Sequence, residues 1–186
     1  MKKILSLLLV SLTFLAGFNA NAEESKMTDK KVLVAYFSAT GTTAGVAEKL
    51  ATATDGDLFE IKPEQPYTDA DLNWHNDQSR SSVEMADKSS RPAIANKVED
   101  MSKYDVIFVG FPIWWGRQPS IIDTFMESYD FAGKTVIPFA TSGTSGIGDS
   151  GSIMQSLAPQ AKVLSGKRFS SGVSETELKK WADEWL

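Results

Sequence analysis

Short apolar runs recur along the chain, separated by stretches whose apolar residues return every three or four positions. Residues 32–37, Val-Leu-Val-Ala-Tyr-Phe, are an unbroken run of strand formers, the pattern of a parallel strand buried on both faces. Residues 57–61 follow the turn pair Asp55-Gly56, and their polar interruptions suit a sheet edge. Residues 106–109, Val-Ile-Phe-Val, are continuous again, and Gly110-Phe111-Pro112 runs them out. Residues 135–140 predict a further strand, and a weak last one starts near Lys162-Val163-Leu164. Between these runs Val46, Ala47, Leu50 and Ala51 share one helical face while Glu48 and Lys49 point away. Ile121, Ile122, Phe125 and Met126 repeat that spacing within residues 119–128. Pro92 followed by Ile94, Ala95, Val98 and Met101 predicts a helix over residues 92–101, and another is expected over residues 152–157. Ser174 and Glu177 form a capping box ahead of the apolar stripe Leu178, Trp181, Ala182 and Trp185.

Strand and helix thus alternate five times, which calls for an α/β domain: a parallel sheet with helices on both faces and right-handed crossovers. Residues 62–91 interrupt the alternation with a long, polar, turn-rich excursion containing Pro63 and Pro66. A connection of that length is a functional loop or carries structure of its own.

The first strand stops on Ser38-Ala39-Thr40-Gly41-Thr42-Thr43 and turns directly into a helix. That arrangement aims free backbone N–H groups and the positive helix end at one point, with hydroxyl donors added, and a phosphate fits there. The same residues could also make an ordinary Ser/Thr turn capping a helix. The chain has no Gly-x-x-x-x-Gly-Lys-Ser/Thr and no Gly-x-Gly-x-x-Gly, so neither a nucleoside-triphosphate loop nor a dinucleotide fingerprint is present. A loop without Lys or Arg suits a phosphate monoester held by hydrogen bonds.

In these residues the chain resembles the flavodoxin family, whose phosphate loop for flavin mononucleotide (FMN) reads Ser/Thr-x-Thr-Gly-x-Thr. Residues 38–43 match it position for position. The resemblance implies a flavodoxin-like three-layer sandwich with a five-stranded parallel sheet in order 2-1-3-4-5, the ligand lying at the switch between strands 1 and 3; flavodoxin is the type example of that rule. In this order Pro138 falls in an internal strand, where a missing N–H costs a ladder bond, so a bulge or an irregular fifth strand is required. The loops after strands 1, 3 and 4 then converge. The second of these is Pro112-Ile113-Trp114-Trp115-Gly116, and one of its two Trp is expected to stack on a flat heterocycle while the other plugs the core. The third begins Thr141-Ser142-Gly143 and continues through Gly146 and Gly148, either a close backbone approach to a ring edge or a flexible connector.

The resemblance implies noncovalent FMN and electron or hydride transfer through its ring. Electron carriers of the family sandwich the ring with a second aromatic after strand 4, and residues 141–148 contain none. An uncovered face leaves room for a small acceptor, as in flavin-dependent quinone reductases of the same fold. The expected function is therefore an FMN oxidoreductase passing electrons from a reduced donor to a small acceptor such as a quinone. The alternatives are a carrier docking on a redox partner protein and a flavin-binding module without turnover. The excursion could cover the open face, with Trp74 stacking and His75 or Arg80 meeting a substrate oxygen, or lie on the surface with its Trp packed back on the body. No catalytic residue is assigned.

Residues 1–22 read as a secretory signal peptide: a basic start, an apolar stretch and the small-x-small site Ala20-Asn21-Ala22, too short for a membrane span. This predicts an exported, periplasmic protein with a polar leader at residues 23–30 and one domain over residues 31–186. Losing Lys2 and Lys3 takes the basic count from 19 to 17 against 24 acids, a net charge of −7. That balance excludes nucleic acid and, once the signal is removed, an anionic membrane surface. With no Cys and one His, disulfides, thiolate catalysis and iron–sulfur ligation are excluded and no metal site is expected. Gly148-Asp149-Ser150-Gly151 resembles the nucleophile segment of secreted serine proteases, but the α/β alternation is wrong for their barrels.

Overall fold

The computed structural model describes residues 30–186; the expected signal peptide and nearly all of the leader lie outside them. The sheet is parallel throughout, in the order β2-β1-β3-β4-β5, with β1 at Val32–Tyr36, β2 at Asp57–Glu60, β3 at Val106–Pro112, β4 at Thr135–Thr141 and β5 at Lys162–Val163. A further strand, β6 (Lys167–Phe169), also pairs with β4, so two short pieces share the fifth position. Alternate residues of the central strands point into two separate cores. Leu33, Ala35, Ile107, Val109 and Val136 bury against α3 (Ser120–Glu127) and α4 (Ser150–Leu157). Val34, Val106, Phe108 and Ile137 bury against α1 (Thr42–Thr54) and α5 (Glu175–Ala182). This is the three-layer sandwich expected of continuous apolar strands.

Pro138 is accommodated by the irregular fifth strand. Val136 accepts Leu164 N–H at 2.9 Å, and Pro138, two residues on, faces the same neighbour because alternate residues of a strand do. Its missing N–H therefore points at the gap between β5 and β6, and the ladder to β3 loses nothing. Gly166, at φ 75°, sits in that gap so close to the Pro138 carbonyl that a Cβ would lie 2.2 Å from its oxygen.

Two segments differ from the sequence expectation. Residues 92–101 form no α-helix; Ala95 N–H bonds Lys62 O and Glu64 N–H bonds Ala93 O, so the segment runs extended and antiparallel beside the chain leaving β2. Asn96 settles the choice, since its side chain donates to Glu60 O and accepts from Lys62 N–H, bonds that compete with a helical turn. Ile94 and Val98 reach the core from this extended path, and Met101 from the 3₁₀ turn Met101–Lys103 that follows it. The helix lies earlier, at α2 (Arg80–Ala86), capped by Ser79. Its buried face is Ser81, Ser82 and Met85, which carries almost no apolar period to read.

The excursion is braced internally and joined to the body by ionic and polar contacts. Tyr67 donates to Glu84 Oε2 at 2.5 Å, and Arg80 Nε donates to Glu84 Oε1 at 2.6 Å while its guanidinium covers the Tyr67 ring at 4.0 Å. Ser120 Oγ donates to Glu84 O, and Arg91 pairs with Glu127 through two nitrogens at 2.7 and 2.8 Å. Burial, reinforced by the bond to Glu84, pushes the Tyr67 phenol well above its usual range and keeps it protonated.

Candidate functional site

At the carboxyl end of β1 the hydroxyl loop opens directly into α1. Gly41, at φ 86°, occupies the cap position and offers no side chain, so the first-turn N–H groups meet no side-chain acceptor. Ser38 Oγ is buried and has no hydrogen-bond partner. Thr40, Gly41 and Thr42 are exposed, whereas Thr43 is buried and shares a 2.8 Å hydrogen bond with the Thr141 hydroxyl. Thr43 and Thr141 thus tie the first loop to the third, while Thr40, Thr42 and Ser38 keep their oxygens free for a ligand. A buried hydroxyl left without a partner costs about 1–3 kcal/mol, which a bound anion at this helix start would relieve.

The second loop is a tight hairpin. Trp114 N–H bonds Arg117 O at 2.9 Å and Arg117 N–H bonds Trp114 O at 3.1 Å. The two residues between them, Trp115 at φ 46° and Gly116 at φ 81°, are both left-handed, the mark of a type I′ turn. Glycine suits that conformation and a bulky aromatic does not, so Trp115 is strained as well as 51% exposed. Trp114 turns the other way and packs edge-on against Phe37 at 5.6 Å and Tyr67 at 5.3 Å. One Trp plugs the core and the other is presented at the surface. Replacing Trp115 by Asn would give the preferred Asn-Gly turn; it is expected to raise stability by about 1 kcal/mol, read as a Tm gain of about 2–4 °C.

Behind the hairpin, Arg117 Nη1 pairs with buried Asp123 at 2.9 Å and Nη2 meets Ser120 Oγ at 3.2 Å. Gln118 Nε2 donates to the other Asp123 oxygen at 2.8 Å. The third loop is joined to the second through Ser150, whose Oγ accepts Gln118 N–H at 3.1 Å and donates to Ile147 O at 2.7 Å. Gly148 passes so near Gly116 that a Cβ would lie 2.1 Å from its carbonyl oxygen. Ser150 is fully buried and committed to these bonds; it is a helix-start residue, and the protease-like reading of this segment ends there.

A cavity of about 840 Å³ opens between these loops. Of the residues singled out in the sequence, Ile113, Trp114, Trp115, Gly116, Ser142 and Gly143 line it, joined by Thr144 and Ser145. Residues 38–43, Pro112, Thr141, Gly146 and Gly148 do not line it; the hydroxyl loop lies beside it, linked through the Thr43–Thr141 bond and the Phe37–Trp114 contact. The excursion supplies the remaining wall with Leu72, Trp74 and Ser81. Trp74 is 65% exposed and stacked on His75, so it does not pack back on the body. Ser81 carried no signal in the sequence, because one serine among many in a polar segment has no distinguishing spacing.

Comparison with known proteins places this geometry in context. The family model described as Flavodoxin matches residues 31–185. A candidate flavoprotein from Bacteroides eggerthii DSM 20697 is 52% identical, with a TM-score of 0.79 over 83% of this chain and 97% of its own. One from Bacteroides uniformis ATCC 8492 is also 52% identical, with a TM-score of 0.78 over 83% and 98%. A flavoprotein from Lactobacillus acidophilus NCFM, solved in complex with FMN, is 27% identical, with a TM-score of 0.61 over 82% and 99%. No curated protein matches the chain.

Proposed function

The chain belongs to the flavodoxin family, and on that premise we propose that it is an FMN-dependent oxidoreductase passing electrons from a reduced donor to a small acceptor such as a quinone. FMN is the cofactor: the family match and a relative solved with FMN point to it, and the residues present fit it. Ser38, Thr40 and Thr42, with the uncapped start of α1, suit a terminal phosphate, and the absence of Lys and Arg from the loop suits a monoester. Residues 113–116 and 142–145 line the cavity and would hold a ring between an aromatic hairpin and a loop of small residues. Bound FMN supplies reversible electron and hydride transfer at its ring; the chain holds that ring, orients it and limits the water around it.

The observation that carries the oxidoreductase reading is the open cavity walled by the two ring loops and by the excursion. A site closed by aromatics on both sides suits single-electron exchange at an edge, whereas a cavity open beside small residues admits an acceptor. The test is steady-state turnover of FMN-loaded protein with NADH, NADPH or dithionite and a series of small quinones. Saturable kinetics are expected. Rates that rise linearly with every quinone, together with fast exchange with a protein partner, would establish the carrier instead.

We also place the protein outside the cytoplasm, on the strength of residues 1–22. Intact-mass analysis of protein exported by its host is expected to give an N-terminus at Glu23; Met1 retained on cytosolic protein would overturn this.

A further inference from the structure

The excursion walls the cavity without belonging to either ring loop, and its contribution is chemically distinct. Ser81, the second residue of α2, is 2% exposed, lines the cavity, and its Oγ has no hydrogen-bond partner. Buried hydroxyls are almost always satisfied, so an unpartnered one on a residue that lines a cavity is a donor with capacity left for a ligand, reached when the short side chain turns toward the cavity. Trp74 lines the same wall from the tight turns that precede α2, and His75 stacks on it at 3.5 Å between ring centroids. The cluster of Tyr67, Arg80 and Glu84 braces α2 from within the excursion, and the Ser120 hydroxyl donating to Glu84 O and Tyr67 packed on Trp114 fix that helix, with Ser81 on it, to the body.

The lining also says what kind of molecule would fit. None of the eleven residues around the cavity is ionisable, and three of them are Trp. A nicotinamide dinucleotide would bring a diphosphate and find no cation there. An uncharged planar ring with a carbonyl oxygen would find an aromatic face and a hydroxyl donor. The volume lies toward the upper end of the range of about 300–1,000 Å³ seen for small-molecule sites, which leaves space for a second planar molecule beside a flavin ring.

We propose that Trp74 and Ser81 form the acceptor wall of this site: Trp74 stacks on a neutral planar carbonyl compound of the quinone class, and Ser81 Oγ donates a hydrogen bond to its carbonyl oxygen. The wall selects uncharged acceptors over charged ones of the same size. This assignment rests on the FMN-dependent reading given above and adds to it the residues that recognise the oxidant.

The experiment uses oxidised, FMN-loaded protein, in which a quinone binds without reacting, and follows menadione binding by calorimetry. FMN affinity is measured in parallel by titrating apoprotein. Trp74→Ala and Ser81→Ala are each expected to weaken menadione binding by about tenfold, and Trp74→Phe by no more than about threefold, with FMN affinity kept within about threefold. 1,4-Naphthoquinone-2-sulfonate, planar and with the same ring system as menadione but charged, is expected to bind wild-type protein more weakly than menadione. Loss of FMN affinity in Trp74→Ala or Ser81→Ala with menadione binding unchanged would assign the wall to the flavin and overturn the proposal. So would unchanged binding of both, or wild-type holoprotein that binds no menadione. Wild-type protein unable to bind FMN would overturn the underlying reading, and is seen separately in the apoprotein titration.

Discussion

Replacing Asp123 by Ala is expected to destabilise the domain by about 3–5 kcal/mol, the cost of leaving a buried partner charge uncompensated. Asp123 is 3% exposed and accepts from Arg117 at 2.9 Å and from Gln118 at 2.8 Å. Removing it strands the Arg117 guanidinium, which is mostly buried, and takes away the partner of the Gln118 amide. Gln118 Oε1 already lacks a partner, so this side chain would then have none on either amide atom. Chemical denaturation should show the midpoint falling with the slope unchanged. The double variant Arg117→Met/Asp123→Leu is expected to recover most of the loss, because an apolar pair of similar volume leaves no buried charge. Equal destabilisation by single and double variants would show that the cluster matters through its shape and not its charge. Because Arg117 closes the hairpin that presents Trp115, the single variant should also loosen that turn.

The second large effect concerns the hydroxyl loop. Changing Thr40 and Thr42 together to Ala is expected to weaken FMN binding by about 3–6 kcal/mol, since hydrogen bonds to a charged group contribute about 1.5–3 kcal/mol each. Both residues are exposed, so folding should be unaffected and the loss readable by titration of apoprotein. Riboflavin, which lacks the phosphate, supplies the control: its affinity should barely change. A parallel loss for riboflavin would mean that these residues act on the ring or on loop shape. Thr43→Ala should behave differently, because its hydroxyl faces Thr141 and not solvent.

The sheet was legible because its central strands are buried on both faces and so read as continuous apolar runs; Leu33, Phe108 and Ile137 belong to runs too short for a buried helix and rich in β-branched and aromatic residues. The amphipathic helices α1, α3 and α5 were legible for the converse reason. What the sequence concealed is the polar excursion, where structure is decided by side-chain to backbone bonds that carry no periodicity. Asn96 draws residues 92–101 into an extended path, and Ser79 starts a helix whose buried face is mostly serine. At the site, residues 38–43 were marked by composition, and Trp114-Trp115 by rarity. Which Trp turns inward depends on Gly116 and Arg117 closing a type I′ turn, and that Trp74 and Ser81 reach the same cavity depends on how α2 docks. Those are properties of the folded whole.

The interruption opposite Pro138 bears on the protein's life before and between folded states. Parallel sheets fold slowly because their pairings are non-local, and an unfinished edge can recruit strands from other chains. Here the edge beyond β4 consists of pieces two and three residues long, offset by a gap and bearing Lys162, Lys167 and Arg168. No run on it is long enough to template a foreign strand, and charged side chains on a short edge strand further disfavour pairing with a second copy. Pro138, which looks like a flaw in the sheet, thus faces an edge too broken to be extended by another chain.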